Sequence, residues 1–139
     1  MGVADGSGGY PRVAVIIPAL NEEAAIGRVV QEIPPFVSKV IVVDNGSTDR
    51  TGERAREAGA HVVYEGKKGY GYACLRGMGE AGDADVIVFL DGDHSDFPEE
   101  MGRLVEPIAM GEADLVIGSR IRGRREKGAM LFHAFVANI

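Results

Sequence analysis

Short runs of apolar, often β-branched residues punctuate the chain, and between them the spacing of apolar positions changes. Arg12–Ile17 (RVAVII) and Lys39–Asp44 (KVIVVD) read as strands buried on both faces, because neither run leaves a polar side for solvent. Pro18 is expected to stop the first. His61–Tyr64 (HVVY), Val86–Leu90 (VIVFL) and Asp114–Arg120 (DLVIGSR) continue the series. In the first interval Ile26, Val29, Val30 and Ile33 fall at i, i+3, i+4, i+7, the stripe of a helix with one buried side. Asn21 is placed to cap that helix, Glu22 and Glu23 suit its positive end, and Pro34 and Pro35 close it. Further helices are expected from about Thr48 to Ala58 with Gly59 as the stop, from the Gly-rich loop Glu65–Gly71 to about Ala81, and from about Pro98 to Met110.

Strands alternating with helices need crossover connections, so the expected fold class is α/β, a mainly parallel sheet with helices on both faces. Residues 1–9 (MGVADGSGG) lack periodicity and read as a flexible tail, leaving 10–139 as one domain. The final stretch, GAMLFHAFVANI, reads as a helix, with Met130, Leu131, Phe132, Phe135, Val136 and Ile139 covering more than one face and His133 a helix residue. Burial against a second copy, as a homodimer, or against a membrane surface would cover them.

Composition narrows the class. With 139 residues and 45% hydrophobic content the chain can build one core, and its net charge of −6 argues against nucleic acid as a partner. The lone cysteine, Cys74, rules out an internal disulfide and the multi-cysteine zinc frameworks, which makes a reducing, cytoplasmic setting the default. No interior apolar run approaches the ~20 residues of a membrane helix. One basic run departs from the acidic balance: RIRGRREKG carries Arg120, Arg122, Arg124, Arg125 and Lys127. It is either a solvated loop or a patch for an anionic acceptor or the inner membrane surface.

In open α/β sheets ligands gather outside the carboxyl ends of the strands. Pro18–Glu22, Asp44–Asp49, Gly66–Gly71, Asp91–Asp96 and Gly118–Arg122 would share that rim. Asp91 and Asp93 form a D-x-D placement that can converge if the chain turns at Gly92. Mg²⁺ and Mn²⁺ favour one or two carboxylates plus waters and phosphate oxygens, with His94, Ser95 and Asp96 as candidate third contacts. On spacing alone a second reading stands: the aspartates cap a turn and Asp96 caps the next helix.

Rival motifs are weaker. GYGYAC (69–74) nearly matches the dinucleotide fingerprint but follows the third expected strand rather than the first. DGDHS resembles the start of haloacid-dehalogenase-type phosphatases, where the first aspartate is a nucleophile, but that motif also belongs on a first strand. A non-catalytic nucleotide-binding module is a third alternative. Neither a nucleophile elbow nor a P-loop is present.

Taken in order, IPALNEE, VVDNGSTDRT, GKKGYGYACLRGM, FLDGDHSD and DLVIGSR resemble the family 2 glycosyltransferases of GT-A fold, above all those acting on dolichyl or polyprenyl phosphate, over about Arg12 to Arg125. The resemblance implies inverting transfer of a sugar from a nucleoside diphosphate sugar, such as a UDP- or GDP-sugar, assisted by Mg²⁺ or Mn²⁺. It implies that Pro18, Ala19, Leu20, Asn21 and Glu22 line the nucleoside, with Asp44 near the base and Asn45 where the family usually has a second acid. Asp91 and Asp93 match the metal and diphosphate carboxylates, Ser95 a further polar group near the metal, and Lys68, Gly69 and Arg120 the phosphate surroundings. Asp93 and Arg120 are thereby the residues nearest the chemistry. In the family the chain continues into an acceptor-binding half, so 10–139 is expected to be an N-terminal portion. A phosphate acceptor, largely dianionic at neutral pH, could attack without a strong base.

Overall fold

A computed structural model describes residues 12–94 and, as backbone, 115–119 and 131–136. The expected tail, the helix over 98–110 and the basic run 120–127 lie outside the described residues.

Among the described residues the elements follow in the order β1 (Val13–Ala19), α1 (Ile26–Gln31), β2 (Lys39–Asp44), α2 (Thr51–Glu57), β3 (His61–Tyr64), α3 (Tyr70–Gly79), β4 (Val86–Phe89), β5 (Leu115–Ser119) and β6 (Leu131–Val136). They build a six-stranded sheet of order β3-β2-β1-β4-β6-β5. The first four strands are mutually parallel, while β6 runs antiparallel to both β4 and β5. The α/β class with a mainly parallel sheet is therefore observed.

Side chains of β1 alternate between two cores. Val13, Val15, Ile17 and Ala19 pack with Ile26, Val29 and Val30 of α1 and Ala55 of α2. Ala14 and Ile16 face the other way, with Ile41, Val43, Ile87, Phe89 and Ala73 of α3. A strand covered on both sides must be apolar at every position, which is why the run lacks alternation.

Two expectations are corrected. Pro18 does not end β1; it stays in register opposite Val43. The Ile16 carbonyl accepts the Leu90 N–H, so Ile16 and Pro18 turn their backbone groups toward β4, whose ladder with β1 stops at Ile16 opposite Phe89. The missing proline N–H thus falls beyond that ladder and costs no sheet hydrogen bond. The second correction concerns the last apolar stretch. Leu131–Val136 is a strand, not a helix, and His133 sits opposite Phe89 and Ile117 in the sheet. Short apolar runs carry no decisive period, and here the edge of β4 supplies the missing partner. Both backbone edges of β6 are paired, one to β4 and the other to β5.

The helices are shorter than the sequence suggests, α1 covering only Ile26–Gln31 and α2 starting at Thr51 rather than Thr48, whereas α2 stops where expected, with Gly59 at φ +106 just past it. Strand order reverses at β1: β2 and β3 lie on one side, β4 on the other. The crevice at the carboxyl ends of β1 and β4 is the switch point at which open α/β sheets bind ligands.

Candidate functional site

The rim begins with two loops stitched to each other. Asn21 adopts the left-handed conformation, φ +54, which asparagine tolerates better than most residues. Its Oδ1 accepts the Thr48 N–H at 2.8 Å and the Thr48 hydroxyl at 3.3 Å, while its own N–H donates to Ser47 Oγ at 2.9 Å. Asn21 therefore does not cap α1: Ala25 occupies that position without a side-chain cap, and the Glu22 carbonyl accepts from Ala25 and Ile26. The Glu22 N–H donates to Thr51 Oγ1 at 2.8 Å and the Glu23 N–H to Asp49 Oδ2 at 3.3 Å. Asp49 Oδ1 in turn accepts both the N–H and the hydroxyl of Thr51. Asp44, buried at the end of β2, closes the turn by accepting the Ser47 N–H at 2.9 Å. Ser47, Thr48, Asp49 and Thr51 were not singled out by motif reasoning. Their signal was the density of Ser, Thr and Asp in GSTDRT, the residue types that bond backbone amides in turns.

The Thr51 hydroxyl is fully buried between these loops. Thr51→Val is expected to cost roughly 1–3 kcal/mol, since it leaves a donor and an acceptor without their partner. The hydrogen bond from Thr51 is also the main reason the Asp49 carboxyl is held below its ordinary range. A folded pKa held low stabilises the protein above the unfolded value, and that contribution fades as pH falls through the folded one. In Thr51→Val an NMR titration should find Asp49 displaced upward, and acid unfolding should begin at higher pH.

Acidic groups converge at the switch point. The chain leaves β4 through Asp91 and turns over the α1 face at Gly92, where an added Cβ would lie 3.3 Å from Ile26 Cδ1 and 3.4 Å from Ile17 Cγ2. A Cβ there would press on these buried side chains, and glycine avoids that crowding. Partial burial raises the Glu22 carboxyl above its ordinary value, and the charges of Asp93, Asp49 and Asp91 push it further the same way. The loops after β2 and β4 thus bring Asp49, Asp91 and Asp93 within electrostatic reach of Glu22, in the loop after β1. Asp91 also faces α3: burial raises the Cys74 thiol, with the Asp91 charge adding to the effect. His94, at φ +64, is drawn the other way, its Nε2 lying 2.7 Å from Glu32 Oε1. That hydrogen bond is the largest cause of the lowered Glu32 carboxyl. His94 is thereby tied to the C-cap residue of α1.

On the far side of β2, Asn45 is buried and holds the loop after β3. Its Nδ2 donates to the carbonyls of Glu65 and Lys67 at 2.9 and 2.8 Å, and its Oδ1 accepts the Gly69 N–H at 3.0 Å. Lys68 is exposed on this loop, and Lys67 Nζ lies 5.2 Å from the centre of the Tyr72 ring. Pro18 and Ala19 lie at the end of β1, with Ala19 buried and Leu20 beyond it 49% exposed. Ser95, Asp96 and Arg120 lie outside the described residues.

The donor set suits a hard divalent cation. Two aspartates one residue apart supply anionic oxygens, and neighbouring carboxylates raise Glu22 in a way that a positive charge would relieve. Among the described residues no group of three His, Cys, Asp or Glu side chains has the arrangement of a complete protein-made cation cage. A two-carboxylate site leaves the remaining positions to water and phosphate oxygens, the usual pattern for Mg²⁺.

Comparison with known proteins agrees with this geometry. The sequence model described as Glycosyl transferase family 2 matches residues 14–135. The chain is 36% identical over 134 residues to the low-salt glycan biosynthesis hexosyltransferase Agl6 of Haloferax volcanii, covering 92% of this chain and 32% of that protein. It is 37% identical over 123 residues to glucosyl-3-phosphoglycerate synthase of Mycobacterium tuberculosis, covering 79% of this chain and 38% of the synthase. A crystal structure of the same synthase with Mn²⁺, UDP-glucose and phosphoglyceric acid superposes with a TM-score of 0.71 at 30% identity, over 91% of this chain and 57% of that one. Another, with Mn²⁺, UDP and glucosyl-3-phosphoglycerate, gives 0.66 at 36% identity, over 76% of this chain and 42% of that one. The chain spans about a third of the length of these two curated relatives.

Proposed function

Since the chain belongs to glycosyl transferase family 2 and has the GT-A fold, we propose that it forms the donor-binding part of an inverting, metal-dependent glycosyltransferase that takes its sugar from a nucleoside diphosphate sugar. The observation that carries this reading is the convergence of Glu22, Asp91 and Asp93 at the switch between β1 and β4. UDP-glucose and UDP occupy solved structures of the similar synthase, which favours a uridine donor here.

Asp91 and Asp93 would hold Mg²⁺ or Mn²⁺, which supplies positive charge to a departing diphosphate. The chain's own residues divide the remaining work. Pro18, Ala19 and Leu20, with Asp44 behind them, border the nucleoside pocket; Lys68 approaches the diphosphate from the β3–α3 loop, and Arg120 is assigned there on its motif. Cations aimed where negative charge develops lower the barrier more than contacts made equally to substrate and transition state. A phosphate-bearing acceptor fits the basic run 120–127, and its dianion can attack without a strong base. Polyprenyl phosphate is one such acceptor and would place the enzyme at the cytoplasmic membrane surface. Among the described residues no helix is long and apolar enough to cross a membrane. A small phosphorylated acid is the second reading, favoured by the phosphoglyceric acid bound in the similar synthase.

UDP release from UDP-glucose, measured with Mn²⁺ and either phosphoglycerate or a polyprenyl phosphate, tests the assignment. Acceptor-stimulated release supports transfer; binding with no release from either acceptor would support the non-catalytic alternative.

Glu22 gives this site a pH signature. Its folded carboxyl keeps a proton to higher pH than an ordinary glutamate, so its charge opposes the fold above the unfolded pKa, and the opposition fades as pH falls. Mn²⁺ affinity is therefore expected to rise with pH above the ordinary glutamate range as the proton leaves, and Glu22→Gln should flatten that rise. Calorimetry in buffers of different ionisation enthalpy would detect the released proton.

A further inference from the structure

We propose that Asn45 is a positioning residue for the diphosphate end of the donor site, acting through the loop that carries Lys68; this rests on the donor-site reading above. The Asn45 carboxamide makes three hydrogen bonds, all to residues 65–69: two as donor, to the Glu65 and Lys67 carbonyls, and one as acceptor, from the Gly69 N–H. Its backbone N–H is bonded to the Ala19 carbonyl at 2.9 Å, which fixes the residue between the end of β1 and the loop. The loop is pinned again by the Glu65 N–H on the Asp44 carbonyl at 3.0 Å and the Lys67 N–H on Glu65 Oε2 at 2.8 Å. Gly69, at φ +132, is the N-cap of α3. Lys68 stands between two residues that Asn45 grips, so the course of its backbone is set by a side chain that itself needs no contact with the donor.

This geometry explains the amide. The loop presents two carbonyl oxygens and one N–H, and only a group with two donors and an acceptor satisfies all three. An aspartate, ionised, would set an oxygen where Nδ2 now stands, against both carbonyls, and repel the path that the loop now takes. The position where the family usually has a second acid thus does different work in this chain: it orders a cationic loop.

The test uses the full chain and four proteins: wild type, Asn45→Asp, Lys68→Ala and the double variant. Each is titrated with UDP and with uridine in the presence of Mn²⁺. Asn45→Asp should lower UDP affinity roughly tenfold, as loss of a supporting outer contact typically does, leave uridine affinity unchanged, and add little once Lys68 is alanine. Hydrogen exchange at the Gly69 amide should quicken in Asn45→Asp while Ile41–Val43 stay protected. Equal losses for UDP and uridine, additive losses in the double variant, or unchanged Gly69 exchange would each overturn the Asn45 proposal while leaving the donor site standing. No UDP binding by the wild type would remove the donor site and this proposal together.

Discussion

Asp93→Asn is expected to weaken Mn²⁺-dependent UDP binding by about 100-fold while leaving the thermal midpoint unchanged or slightly raised. Loss of one charge contact to a cation at the effective dielectric of a protein rim costs on the order of 2–4 kcal/mol, and each ~1.4 kcal/mol is tenfold in affinity. Asp93 is exposed at the turn after β4, so its removal takes little packing with it. The same carboxylate is the largest charge acting on Glu22, and its loss relieves a like-charge contact. Binding and stability should therefore move independently. Calorimetry and a melting curve on the same sample check both, and a variant that unfolds instead would favour a turn-capping role for Asp93.

Gly77→Ala should destabilise the fold although it replaces a helical glycine with the best helix former. An added Cβ at position 77 would stand 2.4 Å from Ile16 Cγ2 and 3.2 Å from both Cγ1 and Cδ1 of the same residue. Ile16 is fully buried in the central strand, where neither it nor α3 can withdraw cheaply. Overpacking of this kind costs roughly 1–3 kcal/mol, against a propensity gain of about 1 kcal/mol. Denaturant unfolding should thus report a net loss on the order of 1 kcal/mol for alanine and a larger one for valine. The pair should also couple: Ile16→Ala should cost less in the Gly77→Ala background than in the wild type. Additive effects would mean that α3 does not rest on Ile16.

How far the sequence carried these conclusions depended on the range of the interaction. Lys39–Asp44 was legible to the residue because its last four positions are buried and leave a continuous apolar run, and His61–Tyr64, a half-exposed edge strand, because its β-branched pair lies between polar turns. The C-terminal strand was not, since five apolar residues around His133 suit helix or strand until β4 and β5 are known to flank them. Pro18 misled for a related reason: whether a missing N–H matters depends on which neighbour that edge faces. In the site, Asp91 and Asp93 could be named from spacing and family likeness, but their proximity to Glu22 comes from the β1–β4 switch. Asn21 showed the limit of local rules. It has the residue type and place of a helix cap, yet its oxygen goes to Thr48, in the loop after β2. Asn45 likewise stood out as a departure from a motif, while its partners lie on a loop 20 to 24 residues on.

The most direct test of the donor-site assignment is a calorimetric titration of UDP-, GDP- and dTDP-sugars into the purified chain, with Mn²⁺ and again with chelator. The expected result is saturable binding of a uridine diphosphate sugar that is lost on chelation and lost in Asp93→Asn. Absence of binding by a chain shown to be folded, or binding indifferent to metal and to Asp93, would contradict it.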